Sequence, residues 1–124
     1  DDDTPDVDEH LQKLPLQIRV YEISGPLFFG AAGVIEEIAV KDFTTCLVLR
    51  MRSVPALDST ALNALKDLVQ VCESKGITIV FSHVNDQPMK VMEKAGFIEL
   101  VGKENFQSSI SAALDRAEEI IHSK

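Results

Sequence analysis

Cationic side chains are scarce. Lys and Arg number 12 against 20 Asp and Glu, which leaves a formal charge of −8 over 124 residues. That balance argues against a nucleic-acid surface, whose affinity rests on cations neutralising phosphates, and against electrostatic adhesion to an anionic bilayer. Cysteine is also sparse. Cys46 and Cys72 belong to no Cys-x-x-Cys pair and have apolar neighbours, so two buried thiols in a reducing compartment are expected, with a disulfide as the lesser alternative. His10, His83 and His122 lack ligand spacing, and no metal site is expected. No apolar run reaches the ~18 to 20 residues that a membrane-spanning helix needs, and no signal-peptide pattern opens the chain. The chain begins without Met, on the acidic cluster Asp1, Asp2, Asp3, Asp6, Asp8 and Glu9, and the expectation is a fragment cut from something longer on its N-terminal side.

The usual signatures of catalysis are missing as well. There is no Gly-x-Ser-x-Gly elbow, no Walker-type loop and no Gly-x-Gly-x-x-Gly fingerprint, since Gly25, Gly30 and Gly33 do not have its spacing. Ser59 has no His near it in sequence. No enzyme, no catalytic residue and no cofactor is expected.

What is present suits one ordinary soluble domain. The length allows a single real core, and 45% hydrophobic with 26% charged residues is typical of globular chains. The organising stretch begins with Leu47-Val48-Leu49-Arg50-Met51, apolar enough for a buried strand. Pro55 biases Val54 towards extended geometry. From Asp58 the period changes, and Leu62, Leu65, Val69 and Cys72 mark one face of a helix running to about Ser74. Asp58, Ser59 and Thr60 can each cap that helix. Gly76 is placed to end it in a left-handed conformation.

The rest of the chain supplies similar units. Residues 1–14 read as an acidic linker or disordered end, with a short edge strand through Val7 as the alternative. Residues 15–24 alternate as a half-exposed strand, and Gly25-Pro26 punctuates its end. Val34, Ile35, Ile38 and Ala39 mark a helix, and β-branched residues dominate a strand over residues 77–81. The polar loop of residues 82–87, with Asn85, should lie at the same sheet edge as Ser59. Pro88 suits the first turn of a helix that Gly96 ends. Residues 97–101 read as a last strand or extended connection, and Phe106 to Ile121 as one helical stripe. Strands alternating with helices predict an α/β domain with a mostly parallel central sheet of about four to five strands and about four helices. In such sheets ligands bind beyond the carboxyl ends of the strands, where Gly25, Pro26, Asp58, Ser59, Thr60 and Asn85 should gather.

Strand, loop, Asp58-Ser59-Thr60-Ala61-Leu62 and an amphipathic helix together resemble the STAS domain, shared by anti-sigma factor antagonists and the cytoplasmic ends of sulfate-permease-type anion transporters. Gly25-Pro26-Leu27-Phe28-Phe29-Gly30-Ala31-Ala32 looks like the signature with which transporter-type STAS domains begin their first helix. Antagonist-type domains carry a more polar turn there. The resemblance covers about residues 15–121, implies a STAS (SpoIIAA-like) fold and assigns residues 15–124 to that domain. It implies a cytoplasmic regulatory and protein-interaction domain of a SulP-type secondary transporter of sulfate or a related anion. Implied partners are the transporter's own membrane domain, cytoplasmic regulatory proteins and a second copy through the parent transporter. A weak nucleotide or anion contact at the sheet edge ranks below these. The alternative is a free-standing phospho-switch, in which Ser59 matches the position the antagonists phosphorylate.

Overall fold

The computed structural model describes residues 5–26 and 44–123. Among these residues, four parallel strands form one sheet in sequential order: β1 (Ile18–Ser24), β2 (Cys46–Ser53), β3 (Thr78–Ser82) and β4 (Phe106–Gln107). Among the described residues, five α-helices flank them: α1 (Pro5–Gln12), α2 (Ser59–Ser74), α3 (Asp86–Lys94), α4 (Phe97–Val101) and α5 (Ile110–His122). The α/β fold expected from the alternation is therefore present. The helix expected around Val34 to Ala39 and the Leu27 to Ala32 signature lie outside the described residues.

The period-2 geometry of β2 divides the core. Leu47, Leu49 and Met51 face one layer, with Leu62, Leu65, Val69 and Cys72 of α2, Met92 of α3 and Phe97 of α4. Cys46 and Val48 face the other, with Val7 of α1 and Ile110, Ala113, Leu114, Ala117 and Ile120 of α5. A strand covered on both sides does not alternate polar and apolar, which is why β2 is apolar from Cys46 to Met51 apart from the buried Arg50. α2 and the α3–α4 pair share one face of the sheet, as the right-handed rule for crossovers between neighbouring parallel strands requires. Both cysteines are buried thiols. Burial pushes the Cys72 thiol up from its usual range, and nearby Lys75 offsets part of that.

Three sequence expectations need correction. Residues 1–14 are not wholly a linker, nor a strand at Val7: α1 is a helix, and Val7 is 5% exposed against α5. Its His10 Nε2 lies 3.1 Å from Glu118 Oε1. Acidic composition concealed one buried valine backed by the half-buried Leu11 and Leu14.

Residues 97–101 are helical rather than extended. Gly96, at φ +71°, turns the chain after α3. Phe97, Ile98 and Val101 then face the core while Leu100 is exposed, a helical spacing that five residues alone could not distinguish from a strand. Phe106 is the third case. It belongs to β4, not to the last helix, and its ring stacks on Phe81 at 5.0 Å and meets Phe97 edge-on at 6.2 Å. The final helix begins only after Ser109, whose hydroxyl accepts from the Ala112 N–H.

Candidate functional site at the carboxyl edge of the sheet

Parallel strands bring their carboxyl ends to one edge, and there the ends of β1, β2 and β3 are tied together. Gly25 follows β1 at φ +85°, a conformation that strains any residue with a Cβ. Its N–H donates to the Ser53 carbonyl at the end of β2, at 2.8 Å. Asn85 follows β3. Its Nδ2 donates to the Arg52 carbonyl at 3.1 Å and to the Val54 carbonyl at 2.9 Å. Asn85 thus occupies the cap position of α3 without capping it. Its side chain is used across the edge to brace the loop after β2.

The next turn of that loop is held by Gln87. Its Oε1 accepts from the Leu57 N–H at 2.9 Å, and its Nε2 donates to the Leu57 carbonyl at 3.2 Å. Leu57 itself is buried. Asp58 is then delivered as the cap of α2, with Oδ1 accepting from the Ala61 N–H at 2.9 Å. Ser59 and Thr60 occupy the first two helical positions, and both are exposed. Of the three capping candidates, Asp58 holds the role, which leaves the two hydroxyls facing solvent. The Asp58 carboxylate also places a negative charge at the positive end of the α2 dipole, where a bound anion would have to sit beside it.

Charged groups extend the edge towards β1. Glu22 stands opposite Arg50 in the parallel register, and Arg50 stands opposite Ser82. Arg52 Nε donates to Glu22 Oε2 at 3.1 Å, and Ser53 Oγ donates to the same oxygen at 3.2 Å. Arg50 is 5% exposed and Ser82 is fully buried. Beyond β3, His83 sits at φ +53° and its buried Nδ1 has no hydrogen-bond partner among the described residues. It borders a hollow of about 280 Å³ with Met89, Phe106 and Gln107.

The sequence-derived residues Gly25, Asp58, Ser59, Thr60 and Asn85 therefore share one edge, with Pro26 exposed beside Gly25. Gln87, Glu22 and Arg52 were missed. Each acts through a partner about thirty residues away, so no local pattern marks it. The one available signal was chemical: a primary amide can serve both an N–H and a C=O. Among the described residues, no three His, Cys, Asp or Glu side chains converge as metal ligands. No helix there is long and apolar enough to cross a membrane.

The sequence profile of the STAS domain matches residues 11–113. This chain belongs to the STAS family. The STAS domain is 30% identical over 104 residues to the Arabidopsis thaliana protein named "Probable sulfate transporter 4.2", a match covering 72% of this chain and 15% of that protein. The chain thus spans about 15% of the length of that curated relative. Among solved structures, it is similar to a sulfate transporter family protein from Wolinella succinogenes, at 33% identity and a TM-score of 0.81, covering 88% of this chain and 91% of the other. It is similar also to the SulP transporter STAS domain from Vibrio cholerae, at 29% identity and a TM-score of 0.78, covering 94% and 93%.

Proposed function

We propose that this STAS domain is the regulatory and protein-interaction part of a SulP-type secondary transporter of sulfate or a related anion. It lies at the cytoplasmic face of the membrane and modulates transport rather than catalysing a reaction. One observation carries the reading. The domain matches a SulP STAS domain over nearly its whole length, and it aligns with only a small part of a protein named as a sulfate transporter. Its partners are the transporter's own membrane domain and cytoplasmic regulatory proteins, and the parent transporter brings two copies together.

The braced edge gives the contact a physical form. Asn85 and Gln87 hold the β2–α2 loop from beneath, so Ser59 and Thr60 are presented on a fixed helix terminus. A rigid surface loses less conformational entropy on docking than a loose loop does. A nucleotide or inorganic anion is a weaker candidate for this edge, because Asp58 already supplies negative charge at the helix start. The test is uptake of labelled sulfate into vesicles carrying the parent transporter, with and without residues 5–123. Altered uptake at equal membrane abundance supports the reading, and unchanged uptake opposes it.

One observation favours the phospho-switch alternative. Ser59 is exposed at the first position of α2, directly after the capping aspartate. A phosphoryl group there would add a charge of roughly −1.5 to −2 beside Asp58 and would disrupt a partner docked on the helix. Incubation with anti-sigma-type kinases and ATP, followed by mass mapping, tests it. No mass shift at Ser59 removes its support.

A further inference from the structure

The opposite end of the sheet holds a second feature, independent of the carboxyl edge and of its proposed role. Among the described residues, β4 pairs only with Phe81 and Ser82 of β3. Beside the amino-terminal half of β3 there is instead a cavity of about 310 Å³ between α2, the end of α4 and α5. That volume is at the small end of ligand-binding pockets. Val69, Val101 and Ile120 contribute aliphatic wall, while Glu73, Asn105 and Arg116 contribute polar groups.

The polar groups are arranged rather than scattered. Asn105 is 4% exposed. Its Nδ2 donates to the Val101 carbonyl at 3.0 Å, and its Oδ1 accepts from Arg116 Nε at 2.9 Å. A buried amide therefore fixes the guanidinium by its inner nitrogen. Among the described residues, the outer nitrogens meet Glu119 at 3.5 Å and Glu104 at 4.0 Å, through carboxylates 70% and 62% exposed. Such long, solvated contacts contribute little and are readily exchanged. A carboxylate on a ligand could take both outer nitrogens in the paired geometry that guanidinium favours.

Two carboxylates, Glu104 and Glu119, lie beside this one arginine, and a third, Glu73, lines the same cavity. A ligand bearing only negative charge would meet net repulsion, whereas one that also carries an ammonium group would be balanced by Glu73. We propose that this cavity binds a small zwitterion with an aliphatic body, an α-amino acid of the leucine or valine class. Its carboxylate lies on Arg116, its ammonium group faces Glu73 and its side chain lies against Val69, Val101 and Ile120.

The test is titration of the 124-residue chain with L-leucine, 4-methylpentanoate and 3-methylbutylamine, read by methyl NMR. L-leucine is expected to shift the Val69, Val101 and Ile120 methyl signals, and the two single-charge analogues to bind roughly tenfold or more weakly, as for loss of a hydrogen bond to a charged group. Glu73→Gln alters an exposed carboxylate and is expected to weaken L-leucine to a similar extent while the fold stays intact. Arg116→Lys, which keeps the charge and loses the paired geometry, should do the same. Absence of methyl shifts with L-leucine at millimolar concentrations would overturn the proposal. Equal binding of all three probes would overturn the zwitterion assignment.

Discussion

The Gln87 carboxamide binds Leu57 twice, taking its N–H at 2.9 Å and donating to its carbonyl at 3.2 Å. With the two bonds from Asn85 to the Arg52 and Val54 carbonyls, this makes the β3–α3 loop the scaffold of the β2–α2 loop. Gln87→Ala should cost about 1 to 2 kcal/mol, the net worth of two such bonds. Gln87→Glu should cost at least as much, because a carboxylate would then face the Leu57 carbonyl. Urea unfolding gives the cost, and faster hydrogen exchange at the Leu57 amide locates it. Unchanged exchange in both variants would remove the brace from the account.

The two residues that begin α2 have separable roles. Asp58→Ala removes the cap and should cost about 0.5 to 2 kcal/mol. Ser59→Ala lies on an exposed first-turn position and should change stability by less than about 0.5 kcal/mol. Denaturant midpoints of the two variants check this, and the reverse ranking would assign the cap to the hydroxyl.

Along the same helix, Leu65 is fully buried and Val71 is 48% exposed. Leu65→Ala should lose about 2 to 5 kcal/mol through lost burial and a residual cavity, and Val71→Ala about 0.5 kcal/mol or less. Equal losses in urea unfolding would mean that the buried face has been misassigned.

Much of this was legible in sequence, and the reason is physical. The period change at Asp58, the face Leu62–Leu65–Val69–Cys72 and the left-handed Gly76, observed at φ +74°, are all local patterns. So is the apolar stretch Cys46 to Met51 of β2, interrupted by Arg50 alone, which reports burial on both faces. What escaped depended on distant partners. Val7 is buried only because α5 lies over it. Phe106 pairs in a two-residue strand that its neighbours do not specify, and Phe97 begins a helix too short to show a period. At the candidate site, Asn85 could be placed at the edge by its loop position. That it braces two carbonyls of another loop could not be read locally.

Cys72 gives a pH-dependent test. Burial raises its thiol pKa in the folded chain above the unfolded value, with Lys75 opposing in part. Between those two values the unfolded chain has released the proton and the folded chain still holds it. The unfolded state then binds fewer protons, so stability falls as pH rises through this window. The contribution is complete below the ordinary thiol range and is lost in alkaline solution. Urea unfolding from neutral to alkaline pH should show a steeper decline for the native chain than for Cys72→Ala. Parallel declines would mean that the thiol is not the cause.

The most direct measurement of the central claim is the mass and cell fraction of the native polypeptide, detected with an antibody raised against this STAS domain. A membrane-fraction product several times heavier than the 13.7 kDa domain is expected, in keeping with the small share of the sulfate-transporter relative that the chain spans. A product close to 13.7 kDa in the soluble fraction would contradict it.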